Sequence, residues 1–318
     1  MACLHVGRGW GARPAHGEQV EGDVAMATAE GGPATGPTVL RMLLGAQLRR
    51  LREASGVTRE GAGWEIRASE SKISRMELGR VGFKERDVAD LLTLYGVSAA
   101  DEREALLKLA RDANSPGWWH RYGDVLPSWF QAYLGLEAAA SLIRTYEVQF
   151  VPGLLQTAAY ARAVVLLGHR QAPAEEVDRR VELRLRRQEL LRRAAPPQVW
   201  AVVDEAALRR PIGGPAVMRG QLDALIEATR SPHVRLQVIP FAAGGHAAAG
   251  GAFTILRFGD DDLPDIVYIE QLTSAIYLDK RDDLDYYAVA MERLCVEATP
   301  PERTPEILGR LRDELYPA

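Results

Sequence analysis

Residues 44–95, LGAQLRRLREASGVTREGAGWEIRASESKISRMELGRVGFKERDVADLLTLY, constrain this chain more than any other segment. Several short helical patterns lie here in close succession. Leu40, Leu44, Leu48 and Leu51 recur at helical spacing, with Arg49, Arg50 and Arg52 on other faces. Gly56 ends that helix. Thr58 is an N-cap for TREGAGWE, and Ser69 is one for ESKISRMEL, which Gly79 stops. Residues 87–95 place Val88, Leu91, Leu92 and Tyr95 on one face, and residues 101–110 add a fifth helix through Ala105, Leu106 and Leu109. Such a chain folds as a small helical module whose second and third helices are joined by a tight turn.

That pair has helix-turn-helix spacing, in which the second helix enters the major groove of DNA. The whole chain has 318 residues and a formal net charge of −4, which carries no global nucleic-acid signal. Locally the balance reverses. Residues 40–86 hold 11 basic and 6 acidic side chains, a net of +5 that favours phosphate. In ESKISRMEL, Ile73 and Met76 share the core-facing side, which leaves Glu70, Ser71, Ser74 and Arg75 on other faces. Arg75 can donate twice to guanine, and Glu70 can accept from cytosine. Lys72, Arg80 and Arg59 suit phosphates. Taken alone, ESKISRMEL also fits an ordinary solvated helix, and the five-helix setting favours the DNA reading.

Residues 40–110 resemble the phage-repressor-like, or XRE, helix-turn-helix family; GAQLRRLRE and SESKISRMELGR carry the likeness. The resemblance puts Ser69, Glu70, Ser71 and Arg75 at DNA-facing positions. It makes Arg52 and Glu77 a partly buried salt bridge between the first and third helices. Two departures stand out. Gly61 and Gly63 replace better helix formers, at about 1 kcal/mol each against Ala. Arg67 stands in the turn where the family commonly has Gly, and is strained if that position needs a positive φ. Trp64 beside them finds no place in the pattern.

Residues 1–38 are rich in Gly, Ala and Pro and are expected to be a disordered arm; translation starts at Met26 or Met42 are open alternatives. Asn114-Ser115-Pro116-Gly117 marks a boundary, so the expected domains are 39–112 and 113–318. An aromatic cluster follows (Trp118, Trp119, Tyr122, Trp129, Phe130, Tyr133), then helical patterns at 130–146, 157–167 and 174–193. Strands are expected at 199–203, 234–241, 253–258 and 266–270, with a helix at 217–229 and two more at 284–297 and 305–315. The fold class is thus a mainly α, five-helix, phage-repressor-like N-terminal domain plus an α+β C-terminal domain with a mixed sheet.

YEVQFVPGLLQTAAYARA, VELRLRRQELL, VVDEAALRRPIGG and QVIPFAAGGHAAAGGAFTILRF, in this order, resemble the actinobacterial DUF5753 domain. The resemblance implies a regulator with a partner or regulatory input, some members being antitoxin-like and encoded beside a small DUF397-type protein. Read physically, Leu154, Leu155, Tyr160 and Val164 fit a core. The arginines at 184, 186, 187, 192 and 193 fit a solvated face paired with Glu182 and Glu189 better than a DNA contact. Asp204 and Glu205 point to opposite faces of a strand, and fit a cap or partners for Arg209 and Arg210 better than an acid–base pair. GGHAAAGG lies between two strands and reads as a mobile hairpin loop, with His246 a weak ligand candidate. DDDLPD lacks the alternating ligands of a Ca²⁺ loop and reads as a solvated turn.

Cys3 and Cys295 lie at opposite ends of the chain, too few for a disulfide framework or a Cys-based zinc site. No metal or catalytic set is recognisable, no cofactor is expected, and no apolar run reaches membrane-helix length. The expectation is a cytoplasmic, non-enzymatic, dimeric regulator that binds double-stranded DNA through Arg59, Ser69, Glu70, Ser71, Lys72, Ser74, Arg75 and Arg80, with control and dimer contacts in the C-terminal domain. The alternative is an antitoxin-like module that binds a small DUF397-type partner.

Overall fold

The computed structural model describes residues 36–259 and 263–317. The expected arm lies outside them except at its end, as do Cys3, Met26 and residues 260–262 of the acidic turn. The arm's end is a correction. Pro37 and Thr38 already belong to the first helix, α1 (Pro37–Ala54). Proline at a first helical position has its φ preset and lacks an N–H that would go unbonded anyway.

Four more helices complete the N-terminal part: α2 (Arg59–Glu65), α3 (Glu70–Glu77), α4 (Glu85–Leu94) and α5 (Ala100–Ala113). Leu44, Leu48, Ala62, Ile73, Met76, Val88, Leu91, Leu92, Leu106 and Ala110 form their shared core. The Asn114 side chain closes the module. Its Oδ1 accepts from Phe83 N at 3.1 Å, and its amide donates to the Phe83 carbonyl.

The C-terminal part alternates helices and strands: α6 (Ser128–Ala139), β1 (Leu142–Glu147), α7 (Ala158–Gly168), α8 (Ala174–Arg187), β2 (Gln198–Asp204), α9 (Glu205–Arg209), α10 (Pro215–Ala228), β3 (Val234–Ile239), β4 (Phe253–Arg257), β5 (Ile266–Glu270), β6 (Ala275–Leu278), α11 (Arg281–Glu297) and α12 (Thr304–Leu315). The sheet order is β3-β2-β1-β4-β5-β6. β1, β2 and β3 run parallel, and β4, β5 and β6 add antiparallel, so the sheet is mixed. Helices cover both faces. Residues of α10 and α12 pack on Ala201, Val203, Leu236 and Val238, whereas α11 packs Met291 and Leu294 against Tyr146, Val202 and Val267 on the opposite face.

Several expectations change here. Residues 142–147 continue no helix: they form β1, a central strand. Four of its six residues are buried, so no two-residue alternation signals it. β6 was not anticipated either, being an edge strand of four residues. The reading of Asp204 and Glu205 as a cap and an arginine partner holds: Asp204 caps α9 by accepting from Ala206 N at 2.8 Å, and Glu205 pairs with Arg209 at 2.6 Å. GGHAAAGG is no hairpin, because β3 and β4 are separated by β2 and β1; it crosses the sheet end, and His246 anchors it with Nε2 3.0 Å from the Tyr146 hydroxyl. Of the arginines expected on a solvated face, Arg192 and Arg193 are exposed, whereas Arg184, Arg186 and Arg187 of α8 are half-buried. Arg187 makes two hydrogen bonds to buried Glu137, at 2.9 and 2.7 Å, and Arg186 lies 5.5 Å from the Trp118 ring centre. Glu182 turns away to Arg121.

The two parts share a core. Val39 and Met42 of α1 cluster with Tyr133 and Leu136 of α6. Gly135 makes this approach possible: a Cβ there would fall 2.0 Å from Thr38 Oγ1.

Candidate nucleic-acid interface

Two side-chain caps begin the two critical helices. Thr58 Oγ1 accepts from Gly61 N at 3.0 Å, and Ser69 Oγ accepts from Lys72 N at 3.3 Å. The Thr58 cap satisfies an otherwise unbonded N–H of a first turn, whereas the Ser69 cap shares the Lys72 N–H with the Ser69 carbonyl, 2.9 Å away. Between the helices the chain turns through Arg67 at φ +53, which among the described residues is the one non-glycine with positive φ. The turn closes when Ala68 N donates to the Gly63 carbonyl at 2.8 Å. This explains Gly63, which looked like a helix defect. A Cβ there would sit 2.7 Å from the Ala68 carbonyl oxygen. The glycine is required by the turn, whereas a Cβ on Gly61 would meet nothing nearer than 3.4 Å.

α3 is held from behind. Ile73 and Met76 are 1% exposed. Glu77, also buried, accepts from two arginines: Arg52 Nε of α1 at 2.5 Å and Arg59 Nε of α2 at 3.0 Å. The hydrogen bond that Arg52 donates to Glu77 raises the guanidinium above its ordinary pKa, against the opposing effect of burial. One carboxylate thereby joins three helices.

The opposite side of α3 is open. Ser69, Glu70, Ser71 and Arg75 are exposed, with Lys72 and Ser74 partly so. Among the described residues, no hydrogen bond or ion pair ties these six side chains to the C-terminal part. Arg75 Nε donates to the Ser71 carbonyl at 3.3 Å, which lays the guanidinium along its own helix. The other three basic positions have carboxylate partners in the free protein. Arg59 holds Glu77, Lys72 Nζ lies 2.6 Å from Asp87 Oδ2 of α4, and Arg80 lies 3.1 Å from Asp279 Oδ2 just beyond β6. Any phosphate at these cations competes with a carboxylate already in place.

Two further surface residues border this face. Trp64 at the end of α2 is 85% exposed, and Arg67 in the turn is exposed beside it. The legible signal was a tryptophan in a short polar helix with no apolar partner one turn away.

A family model described as a domain of unknown function, DUF5753, matches residues 130–310, and a model of a helix-turn-helix domain matches residues 43–106. No curated protein and no solved structure matches the chain.

Proposed function

The chain belongs to the DUF5753 family with a helix-turn-helix domain in front, and on that premise we propose that it is a sequence-specific DNA-binding regulator of transcription, with a regulatory rather than enzymatic role. The observation that carries the reading is the open polar face of α3, capped at its N-terminal end and fixed from behind by Glu77. Glu70, Ser71, Ser74 and Arg75 face base edges in the major groove. Lys72, Arg59, Arg80 and the α3 amides face phosphates.

The protein acts in the cytoplasm as a dimer, because one small module buries limited surface on DNA. Its aromatic cluster is unsuited to the dimer contact: Trp119, Tyr122 and Tyr133 are at most 6% exposed and build the core. The better surface is α11, where Tyr286, Val289 and Val296 form an exposed apolar stripe at helical spacing. Two copies joined there read a pseudo-palindrome with half-site centres one helical turn apart, about 34 Å, or a multiple of that.

Selection from a random duplex pool tests this. The expected product is a two-fold-related site with that spacing. Recovery of no shared sequence would end the reading.

A further inference from the structure

A cavity of about 690 Å³ lies between α8 and the sheet, on the face opposite α11. That volume is in the range of small-molecule sites. The sheet supplies one wall. Alternate residues of β1, Ile143, Thr145 and Glu147, line it. Register sets Thr145 opposite Thr254 of β4, and Thr254 opposite Tyr268 of β5. Extending that register two residues, just past the start of β4, brings Ala252 into line between Glu147 and Glu270. Two carboxylate-bearing residues therefore flank one alanine, at a strand spacing of about 4.8 Å.

The polar groups of this cavity are unequally satisfied. Thr145 and Thr254 bond each other at 2.9 Å, and the Tyr268 hydroxyl donates to Glu270 at 2.9 Å. Arg187 is committed to Glu137, and Arg180 to Glu176. Glu147 has no hydrogen bond or ion pair among the described residues. On the helix side, Arg184 Nη1 is buried without a partner. So is Gln156 Oε1, although the amide nitrogen of Gln156 donates to Val151 at 2.8 Å. Orphaned buried groups are rare and costly, and call for an explanation. With the two ion pairs set aside, the carboxyls of Glu147 and Glu270 stand against Arg184, with Arg187 also acting on Glu147 from its pair, so the cavity falls one positive charge short once Glu147 ionises. Trp129, Phe130 and Tyr133 supply apolar wall.

We propose that this cavity binds a small amphipathic amine. Its ammonium group sits over Ala252 between Glu147 and Glu270. Its apolar body lies against the aromatic wall, and an oxygen on it accepts from Arg184 Nη1. Burial, with Glu270 adding to it and Arg187 opposing it, holds the Glu147 carboxyl up to about 8. Seating a cation beside it ionises it, so binding at neutral pH releases a proton.

Calorimetry on the full chain tests this with three probes that share one body: tyramine, 4-ethylphenol and 4-hydroxyphenylacetate. Tyramine is expected to bind at least about tenfold more tightly than the neutral or the anionic probe. Its heat should depend on the buffer's ionisation enthalpy in the sense of proton release. Glu147→Gln, which keeps the volume, and Ala252→Leu, which fills the gap between the carboxylates, should each weaken tyramine by about tenfold or more. Melting curves check that both variants fold, and the probe comparison on the unaltered protein needs neither. Preference for the acid, equal binding of all three, an unchanged affinity in folded Glu147→Gln, or no binding of any probe up to about 10 mM would overturn the proposal. No DNA is present in these titrations, so their outcome is separate from whether α3 reads an operator.

Discussion

Arg80, just past α3, donates to Asp279 at 3.1 Å and to the Tyr277 carbonyl at 3.4 Å. The pair joins the helix-turn-helix to the far end of the β5–β6 hairpin, 199 residues away in sequence. The side chains are 44% and 20% exposed. A pair so placed contributes at most about 1 kcal/mol. It is therefore weak enough to be exchanged for a phosphate.

Asp279→Asn should accordingly strengthen DNA binding. Arg80 no longer has to leave a carboxylate before meeting the backbone. The expected gain is a few-fold and equal for all sequences, whereas Arg80→Ala should lower affinity and reduce the salt slope by about one. Fluorescence anisotropy across a salt series measures both.

Glu77→Gln should destabilise the N-terminal part by about 3–5 kcal/mol. The change leaves Arg52 charged and buried without its counter-charge. Glu53 is within 3.3 Å of Arg52 but half exposed, and replaces little. Chemical denaturation followed by circular dichroism gives the number.

The two glycines of α2 should respond oppositely to alanine. Gly61→Ala has space and should gain about 1 kcal/mol from helix propensity. Gly63→Ala meets the Ala68 carbonyl and should lose stability and operator binding together, because the turn sets the angle of α3. Thermal melts of the pair decide it.

The helical module was legible because apolar periodicity marks its helices, side-chain caps open α2 and α3, and glycines stop α1 and α3. Arg67 was legible too, since the turn needs a left-handed residue whatever stands there. The sheet was less so. β1 is buried on both faces and follows directly on α6, so its six residues read as more helix. Gly63 misled for a different reason: the atom that requires it, the Ala68 carbonyl, belongs to the next turn. The Arg80–Asp279 contact and the row Glu147, Ala252, Glu270 depend on tertiary pairing that no local pattern encodes.

Glu147 should give stability an unusual pH dependence. Its carboxyl lies at about 8 in the folded chain against an ordinary 4.5. The folded state therefore holds an extra proton between those values, and stability falls as pH rises through that window. Glu147→Gln removes the dependence. Relative to the parent it should gain stability from pH 5 to pH 9, by about 2 kcal/mol after allowance for water in the cavity. Melting curves across that range check the sign.

The central claim is that the exposed face of α3 reads bases. Arg75→Ala, compared with the parent on the selected operator and on unrelated duplex at one salt concentration, tests it most directly. Loss of one bidentate base contact should cost about 1–3 kcal/mol on the operator and little on unrelated DNA, so the ratio between the two collapses. An unchanged ratio, with folding and overall DNA affinity intact, would contradict the account.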